Sequence, residues 1–250
     1  MPRMILLGVG TAVPDSDREN THMVWEASGG LLLIDAGGST YQRLLRAGLD
    51  PLALRGIFLT HSHADHLNGL PALLFQLKLM GFSGPLPIYG NQPTLDRAAQ
   101  IIAAFDLEEY QVGVEWVSLS GGQEVPLSGV PYRLHVADTI HSRPCLALRF
   151  EHNGRALVYS ADTEPCEAVL ELAQQADILI HEATTAEPFP GHTTPRQAGE
   201  VAAAAGVGRL ILVHFSPRFT MSAADAIEQV HAGGFQGDVE IGREYGIYTI

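Results

Sequence analysis

Residues 60–67 read T-H-S-H-A-D-H-L, and they bring four side chains able to bind a metal ion within six residues. These side chains are His61, His63, Asp65 and His66. A short apolar run at residues 56–60 precedes them and is typical of a buried strand, whereas residues 66–80 have the leucine spacing of a helix. The sequence therefore predicts that the four residues lie on a strand-to-helix turn.

The chemistry of this turn favours two metal ions. Imidazole nitrogens and carboxylate oxygens suit zinc, and two pairs of ligands on one turn indicate two adjacent ions. The alternation of His61 and His63 lets two imidazoles face one point, while Asp65 and His66 at the helix start can face another. A solvated histidine-rich loop is the alternative. The apolar helix that follows at once argues against it.

Three later polar residues each follow an apolar run of the kind that ends in a buried strand. They are His141, Asp162 and His214. Each alone is as readily explained as a turn or capping residue. As an ordered set beside the turn at residues 60–67, they are expected to complete a metal site.

The H-x-H-x-D-H turn and the three later positions resemble the metallo-β-lactamase superfamily, and the resemblance covers essentially the whole chain. It implies two zinc ions: one takes His61, His63 and His141, the other takes Asp65, His66 and His214, and Asp162 bridges them. It also implies that Asp35, at the end of L-L-L-I-D, supports the site from behind the ligands. Zinc is chosen by the resemblance, since the residues alone would also suit manganese or iron.

Four segments are similar to tRNase Z and its relatives in particular. They are G-V-G-T-A-V-P at residues 8–14, L-I-H-E-A-T at 179–184, G-H-T-T at 191–194 and L-V-H-F-S-P-R at 212–218. The resemblance implies that His192 contacts a substrate phosphate and pairs with Glu182. The predicted catalytic residues are therefore Asp65, which orients or deprotonates the attacking water, His192, which donates to the leaving oxygen, and Glu182, which orients His192.

One departure from that family concerns the substrate. Typical tRNase Z enzymes insert a long arm, rich in Gly, Pro and Lys, between the positions matched here by His141 and Asp162, and the arm grips the tRNA elbow. Here only twenty residues intervene. Residues 143–160 read as two strands joined by a tight turn at Asn153-Gly154. No room remains for an arm, which disfavours precursor tRNA.

The charge of the chain points the same way. The formal net charge is −13, and only Lys78 among fifteen basic residues is a lysine. Binding of a large nucleic acid normally uses a basic surface, because neutralised phosphates release counterions. A local patch could still be built from residues such as Arg143 and Arg218. A small phosphodiester needs only the metals and one or two arginines.

The sequence thus predicts a dinuclear zinc phosphodiesterase that acts on small or exposed phosphodiesters. The first alternative is a tRNA 3′-processing endoribonuclease that works without the arm. The second is a hydrolase of carboxylic esters, thioesters, lactones or aryl sulfates that uses the same metals. A non-enzymatic binding protein is disfavoured by the complete set of ligands.

The predicted fold is α/β (α+β), a single domain over residues 1–250 with two mixed sheets packed face to face and flanked by helices. Helices are expected at 39–48, 66–80, 92–105, 164–175, 195–205 and 221–232. An apolar surface near residues 70–79 suggests a homodimer interface. Two cysteines outside any C-x-x-C pair, with no signal peptide and no apolar stretch of about 20 residues, predict a cytoplasmic protein without a membrane span.

Overall fold

The computed structural model of the chain describes residues 1–106, 111–219 and 221–250. Its strands are Arg3–Gly8 (β1), His22–Ala27 (β2), Gly30–Ile34 (β3), Leu54–Phe58 (β4), Leu86–Gly90 (β5), Val114–Ser118 (β6), Arg133–Asp138 (β7), Leu146–His152 (β8), Arg155–Tyr159 (β9), Ile178–Glu182 (β10), Arg209–Val213 (β11), Asp238–Ile241 (β12) and Ile247–Thr249 (β13). The helices are Thr40–Arg46 (α1), Ala64–Leu67 (α2), Leu70–Leu79 (α3), Gln92–Ala103 (α4), Glu167–Leu172 (α5), Pro195–Ala205 (α6) and Ala223–Ala232 (α7), with a short 3₁₀ helix at Pro51–Ala53.

Two mixed sheets pack face to face, which confirms the predicted αββα sandwich. Within the described residues, one sheet has the order β13-β1-β2-β3-β4-β5-β6 and the other β12-β11-β10-β9-β8-β7. In the first sheet β3 to β6 run parallel, and in the second β9 to β12 do. Because the carboxyl ends of parallel strands meet at one edge of a sheet, residues that follow β9, β10 and β11 come together there.

Three apolar clusters hold the layers together. Between the sheets, Trp25 of β2 stacks on Phe150 of β8 with ring centroids 4.5 Å apart, and Tyr132 meets the edge of Trp25 at 5.6 Å. Leucines of α1, α3 and α4 pack on the outer face of the first sheet. Small side chains of α6, such as Ala198 and Ala202, pack with α7 on the outer face of the second.

The helix expected at residues 66–80 is divided into α2 and α3, so that part of the prediction was wrong. The carbonyl of His66, which would accept a helical hydrogen bond four residues on, accepts from Ala36 N at 2.9 Å instead. Gly69 N donates to Ala36 O at 2.8 Å. A Cβ at Gly69 would stand only 2.4 Å from Gly38 O, so the close approach requires glycine. The break between α2 and α3 is therefore fixed by the loop that contains Ala36 and Gly38.

The helix expected at 164–175 is shortened to α5. Glu164 forms a bridge with Ile140, which keeps its backbone extended, and Pro165 follows it. The helix can therefore begin only after Cys166. The short strand β12 and the 3₁₀ helix were not predicted, because β12 depends on parallel pairing with β11 rather than on its own composition.

The hairpin of β8 and β9 is as tight as predicted. His152 pairs with Arg155, and the two residues between them, Asn153 and Gly154, have φ angles of 51° and 78°. Positive φ at both positions is the signature of a type I′ turn. Between His141 and Asp162 the chain therefore turns back within two residues.

The apolar surface near α3 is partly covered. Leu77 is completely buried, whereas Leu79 and Met80 are 63% and 58% exposed. The homodimer stays a prediction. A helix with the length and apolar character to cross a bilayer is absent from the residues described above.

Candidate metal centre

Seven histidine and aspartate side chains converge at the edge where β4, β7, β9 and β11 end. The first group consists of His61, His63, His141 and Asp162, and the second of Asp65, His66 and His214. Within each group, one nitrogen or carboxylate oxygen per residue lies within 4.8 Å of those of the other members. All seven predicted ligands are thus brought together, although they come from four separate parts of the chain.

The distances suit two adjacent metal ions. Nδ1 of His63 lies 2.9 Å from Nε2 of His61 and 3.1 Å from Nε2 of His141. Oδ2 of Asp65 lies 3.3 Å from Nε2 of His66. A tetrahedral zinc with Zn–N bonds of 2.0–2.1 Å separates neighbouring ligand atoms by about 3.4 Å, so these atoms are placed much as ligands of one ion would be.

Asp162 lies between the two groups. Its Oδ2 is 3.8 Å from Nε2 of His61 and 3.9 Å from Nε2 of His141 in the first group. It is 3.8 Å from Nε2 of His66 and 3.5 Å from Nε2 of His214 in the second. One carboxylate oxygen at similar distances from four imidazoles is placed where a ligand shared by two ions would stand.

Several buried atoms at the centre lack a hydrogen-bond partner within the described part of the chain. They are Nε2 of His66, Nε2 of His214 and Oδ1 of Asp162. A buried polar atom without a partner costs about 1–3 kcal/mol, so such atoms persist where something else binds them. Unpartnered imidazole nitrogens and an unpartnered carboxylate oxygen within one cluster fit divalent metal ions.

In three of these histidines the opposite ring nitrogen forms a hydrogen bond that fixes the ring. Nδ1 of His66 bonds to Asp35 at 2.7 Å, and Nδ1 of His141 bonds to the carbonyl of Gly191 at 2.7 Å. Nδ1 of His214 bonds to the hydroxyl of Thr184 at 2.7 Å. Metal-binding histidines are commonly oriented in this way by a carboxylate, carbonyl or hydroxyl.

Asp35 contacts the turn at residues 60–67, in the supporting position that the resemblance implied. Its carboxylate accepts hydrogen bonds from the backbone N–H of Thr60 at 2.8 Å and from the Thr60 hydroxyl at 2.9 Å, besides its contact with His66. The Thr60 hydroxyl also lies 3.1 Å from Nδ1 of His61. One buried carboxylate therefore sets the orientation of a histidine in each group.

A second carboxylate, Glu182 at the end of β10, connects His192 with the second group. Its Oε1 lies 2.9 Å from Nδ1 of His192, and its Oε2 accepts from the hydroxyl of Thr184 at 2.6 Å. That hydroxyl in turn meets His214. The ring of His192 stands 5.1 Å from that of His141 and 5.8 Å from that of His214, so it faces the cluster.

The charges within the cluster favour ionised carboxylates. Burial alone would raise the pKa of Asp162 and Asp65, yet the surrounding histidines overcome it and hold both pKa values well below the usual range. Burial lowers the pKa of His61 well below its ordinary value. Burial would also lower the pKa of His66 and His214, but the nearby carboxylates overcome it and raise both. Metal ions would supply that positive charge by displacing the histidine protons.

Two residues of the centre hold a strained backbone. His214, directly after β11, has φ of 64°, and Asp35, directly after β3, has φ of 61°. The left-handed region costs a residue with a Cβ about 1–2 kcal/mol. Such strain is concentrated at functional sites, where surrounding contacts hold it in place. Here the left-handed conformation turns the backbone sharply at the end of each buried strand.

Comparison with known proteins agrees with this geometry. Residues 31–215 match the family described as the β-lactamase superfamily domain. The chain belongs to this superfamily. A ribonuclease Z of Methanosarcina mazei is 30% identical over 275 residues, covering 88% of this chain and 89% of that protein. That aligned length exceeds the 250 residues of this chain, so the relative has residues without a counterpart here.

Solved structures show the same fold at lower identity. The metallo-β-lactamase fold protein YhfI of Bacillus subtilis has a TM-score of 0.85 at 22% identity, covering 99% of this chain and 98% of its own. The short form of human tRNase Z has a TM-score of 0.78 at 23% identity, covering 99% of this chain and 99% of its own. A diphosphatase of the PhnP family has a TM-score of 0.78 at 19% identity, covering 100% of this chain and 98% of its own. The prediction that the chain belongs to this superfamily and has tRNase Z-like relatives is confirmed. The prediction of a metal-dependent hydrolase of the phosphodiesterase type is confirmed as well.

Some residues that shape the centre escaped the sequence analysis. Thr184 stands inside the H-E-A-T segment, but its link between Glu182 and His214 depends on β10 and β11 lying side by side. The carbonyl of Gly191 reaches His141 across fifty positions of sequence. A backbone carbonyl leaves no sequence signal. The threonine could have been noticed as part of the motif.

Proposed function

We propose that this superfamily member is a dinuclear zinc phosphodiesterase that acts on small or exposed phosphodiesters. The observation that carries the proposal is the convergence of seven ligand-type side chains beside the pair of His192 and Glu182. Three of the seven have a buried polar atom without a hydrogen-bond partner among the described residues. In this proposal one ion is held by His61, His63 and His141, the other by Asp65, His66 and His214, and Asp162 is shared between them.

The residues around the ions would divide the chemistry of hydrolysis. Two zinc ions would polarise the phosphoryl oxygens and bring the pKa of a bound water towards neutrality. Asp65 would orient the attacking water, since its carboxylate is held beside His66 and His214 at 3.3 Å and 3.6 Å. Asp162 would hold the two metal sites at a fixed separation.

His192 would act on the leaving group. Burial opposes a charge on this imidazole, yet the hydrogen bond and charge of Glu182 overcome it and raise the pKa of His192. The ring therefore favours its protonated form, with Nδ1 bound to Glu182 and Nε2 left to donate to an oxygen of the substrate. A protonated imidazole beside two metal ions suits a phosphodiester, which spreads negative charge over several oxygens.

The size of the substrate is inferred from two features. The β8–β9 hairpin closes tightly at Asn153-Gly154. It occupies most of the interval between His141 and Asp162, in which typical tRNase Z enzymes insert a tRNA-gripping arm. The chain also carries a net charge of −13, which opposes the approach of a large polyanion. Both support a substrate recognised near the metal centre rather than over a long surface.

Two further proposals concern the setting of the enzyme. The two cysteines are free, and Cys145 is buried, which suits the reducing cytoplasm. The exposed Leu79 and Met80 at the end of α3 would contribute to a homodimer interface.

A second candidate function is processing of the tRNA 3′ end. It is favoured by the relatives named ribonuclease Z, one of them 30% identical over most of the chain. In that case the acceptor stem would have to be held by arginine-bearing loops near the metals, since the hairpin leaves no arm.

One substrate panel distinguishes these functions. Purified metal-loaded protein is assayed with aryl esters of phosphate, phosphonate, sulfate and acetate, beside a precursor tRNA at low and physiological salt. We expect rapid hydrolysis of bis-aryl phosphate and poor cleavage of the tRNA at both salt concentrations. Efficient cutting at the tRNA 3′ end at physiological salt would establish the second candidate instead. Preference for acetate or sulfate esters would overturn both.

A further inference from the structure

A cavity of about 350 Å³ opens directly beside the metal centre, on the side of His63. Its walls include Ser62 and His63 of the metal-binding turn, Arg97 of α4, and Arg143 with Pro144 from the loop that follows His141. Its volume lies at the small end of the range for ligand pockets, about 300–1,000 Å³. Because His63 belongs to both, a molecule bound at the metals would lie next to this cavity.

The walls of the cavity are held together by one buried side chain. Asn91 caps α4 by accepting a hydrogen bond from Thr94 N at 3.0 Å. Its amide nitrogen donates to the carbonyl of Pro144 at 2.9 Å, next to Arg143. The helix that carries Arg97 and the loop that carries Arg143 are therefore tied to each other. The backbone segments that carry the two exposed arginines therefore keep a fixed spacing.

The charge of the cavity is unusual for this acidic chain. Its walls carry two arginines, and no aspartate or glutamate is among its lining residues in the part of the chain that the structure describes. Arg97 bonds to the neutral amide of Gln100, and among the described residues neither arginine forms an ion pair.

A second cavity provides the contrast. It measures about 550 Å³ and lies at the hairpin turn, at the opposite end of β8 and β9 from the metals. Its arginines are neutralised: Arg133 and Arg149 pair with Glu151, and Arg155 pairs with Asp177. Among the described residues, the arginines at the distant cavity are thus paired with carboxylates, whereas Arg97 and Arg143 beside the metal centre are not.

We infer that the cavity beside His63 binds a second phosphate group of the substrate, one that is not cleaved. This inference rests on the proposed function and narrows the substrate class to short phosphodiesters that carry a second, terminal phosphate. The planar fork of arginine donors matches the oxygens of a phosphate, and two guanidinium groups offset its charge. A plain diaryl phosphate would leave both arginines without a partner.

The test compares matched substrates that differ by one phosphate. A dinucleoside monophosphate is assayed beside its 5′-phosphorylated and 3′-phosphorylated forms, and kcat/KM is expressed as the ratio of phosphorylated to unphosphorylated substrate. In the native enzyme we expect one terminal phosphate to raise kcat/KM about 10–100-fold, mainly through KM, as charged hydrogen bonds of this kind do. Added salt should reduce the ratio.

Variants then assign the effect to the cavity. The double variant Arg97→Ala/Arg143→Ala should bring the ratio close to one, whereas Arg143→Lys should keep part of it. Arg46→Ala is the control, because it removes one arginine from an exposed position of α1, a helix that packs against α3. A ratio near one in the native enzyme, or a ratio unchanged in the double variant, would overturn the inference.

Failure of the proposed function gives a different result. In that case no phosphodiester is hydrolysed, and titration calorimetry with a 5′-mononucleotide replaces the kinetics. Binding that weakens about tenfold or more in the double variant, and not in Arg46→Ala, would still support the phosphate site. Equal binding by all three proteins would reject it.

Discussion

The carboxylate of Glu182 lies 2.9 Å from Nδ1 of His192 and is completely buried. Its other oxygen reaches His214 through the hydroxyl of Thr184. A single side chain at the end of β10 therefore orients both the proposed acid and a proposed metal ligand. Substitutions of His192 and His214 should therefore have different effects, because only His214 is expected to bind metal.

Replacing His192 should impair turnover without loss of metal. His192→Ala is expected to lower kcat for a bis-aryl phosphate about 10²–10⁴-fold, the usual contribution of a positioned acid or base. Elemental analysis should show unchanged metal content. His152→Ala, at the far end of β8, is the control and should match the native enzyme. Full activity of His192→Ala would mean that the G-H-T-T segment serves only to begin α6.

The pH dependence should report the pairing of His192 with Glu182. If protonated His192 donates to the leaving oxygen, activity is present below its pKa and is lost as the pH rises through it. Glu182 raises that pKa, so Glu182→Gln should lower it and move the alkaline limb of the profile to lower pH. The profile of kcat against pH is the measurement. An alkaline limb that stays in place, with kcat reduced, would argue that another group sets it.

Metal content tests the shared role of Asp162. The native protein should carry close to two equivalents of metal, mostly zinc, when purified without chelators. Asp162→Ala should lose more metal than His63→Ala or His141→Ala, since it removes a ligand from both proposed ions. Asp238→Ala, whose side chain is 65% exposed on β12, is the control. One equivalent or less in the fresh native protein would contradict the dinuclear proposal.

The stack of Trp25 on Phe150 should account for much of the cohesion between the sheets. Trp25→Ala removes a completely buried indole from this interface and should lower the free energy of unfolding by about 3–5 kcal/mol. Trp116→Ala, on the edge strand β6 and 39% exposed, should cost far less. Urea unfolding followed by circular dichroism measures both. Equal losses would show that the central stack is not the main contact between the sheets.

Features encoded locally could be predicted before the structure was known. The turn at residues 60–67, the hairpin at Asn153-Gly154 and the start of α6 at Thr194-Pro195 each depend on residues close together in the chain. Four of the seven predicted ligands lie on that turn and three directly follow apolar runs, and the resemblance to the metallo-β-lactamase superfamily joined them into one site. Their convergence in the structure agrees with that reading.

Features that depend on distant contacts could not be predicted. The division between α2 and α3 follows from hydrogen bonds that Ala36 makes with His66 and Gly69. The link from Glu182 through Thr184 to His214 requires β10 beside β11. Local sequence determined which residue types end each strand, because periodicity and turn chemistry act over a few positions. Only the packing of the two sheets decided which of those ends meet, since that depends on the burial of apolar side chains from the whole chain.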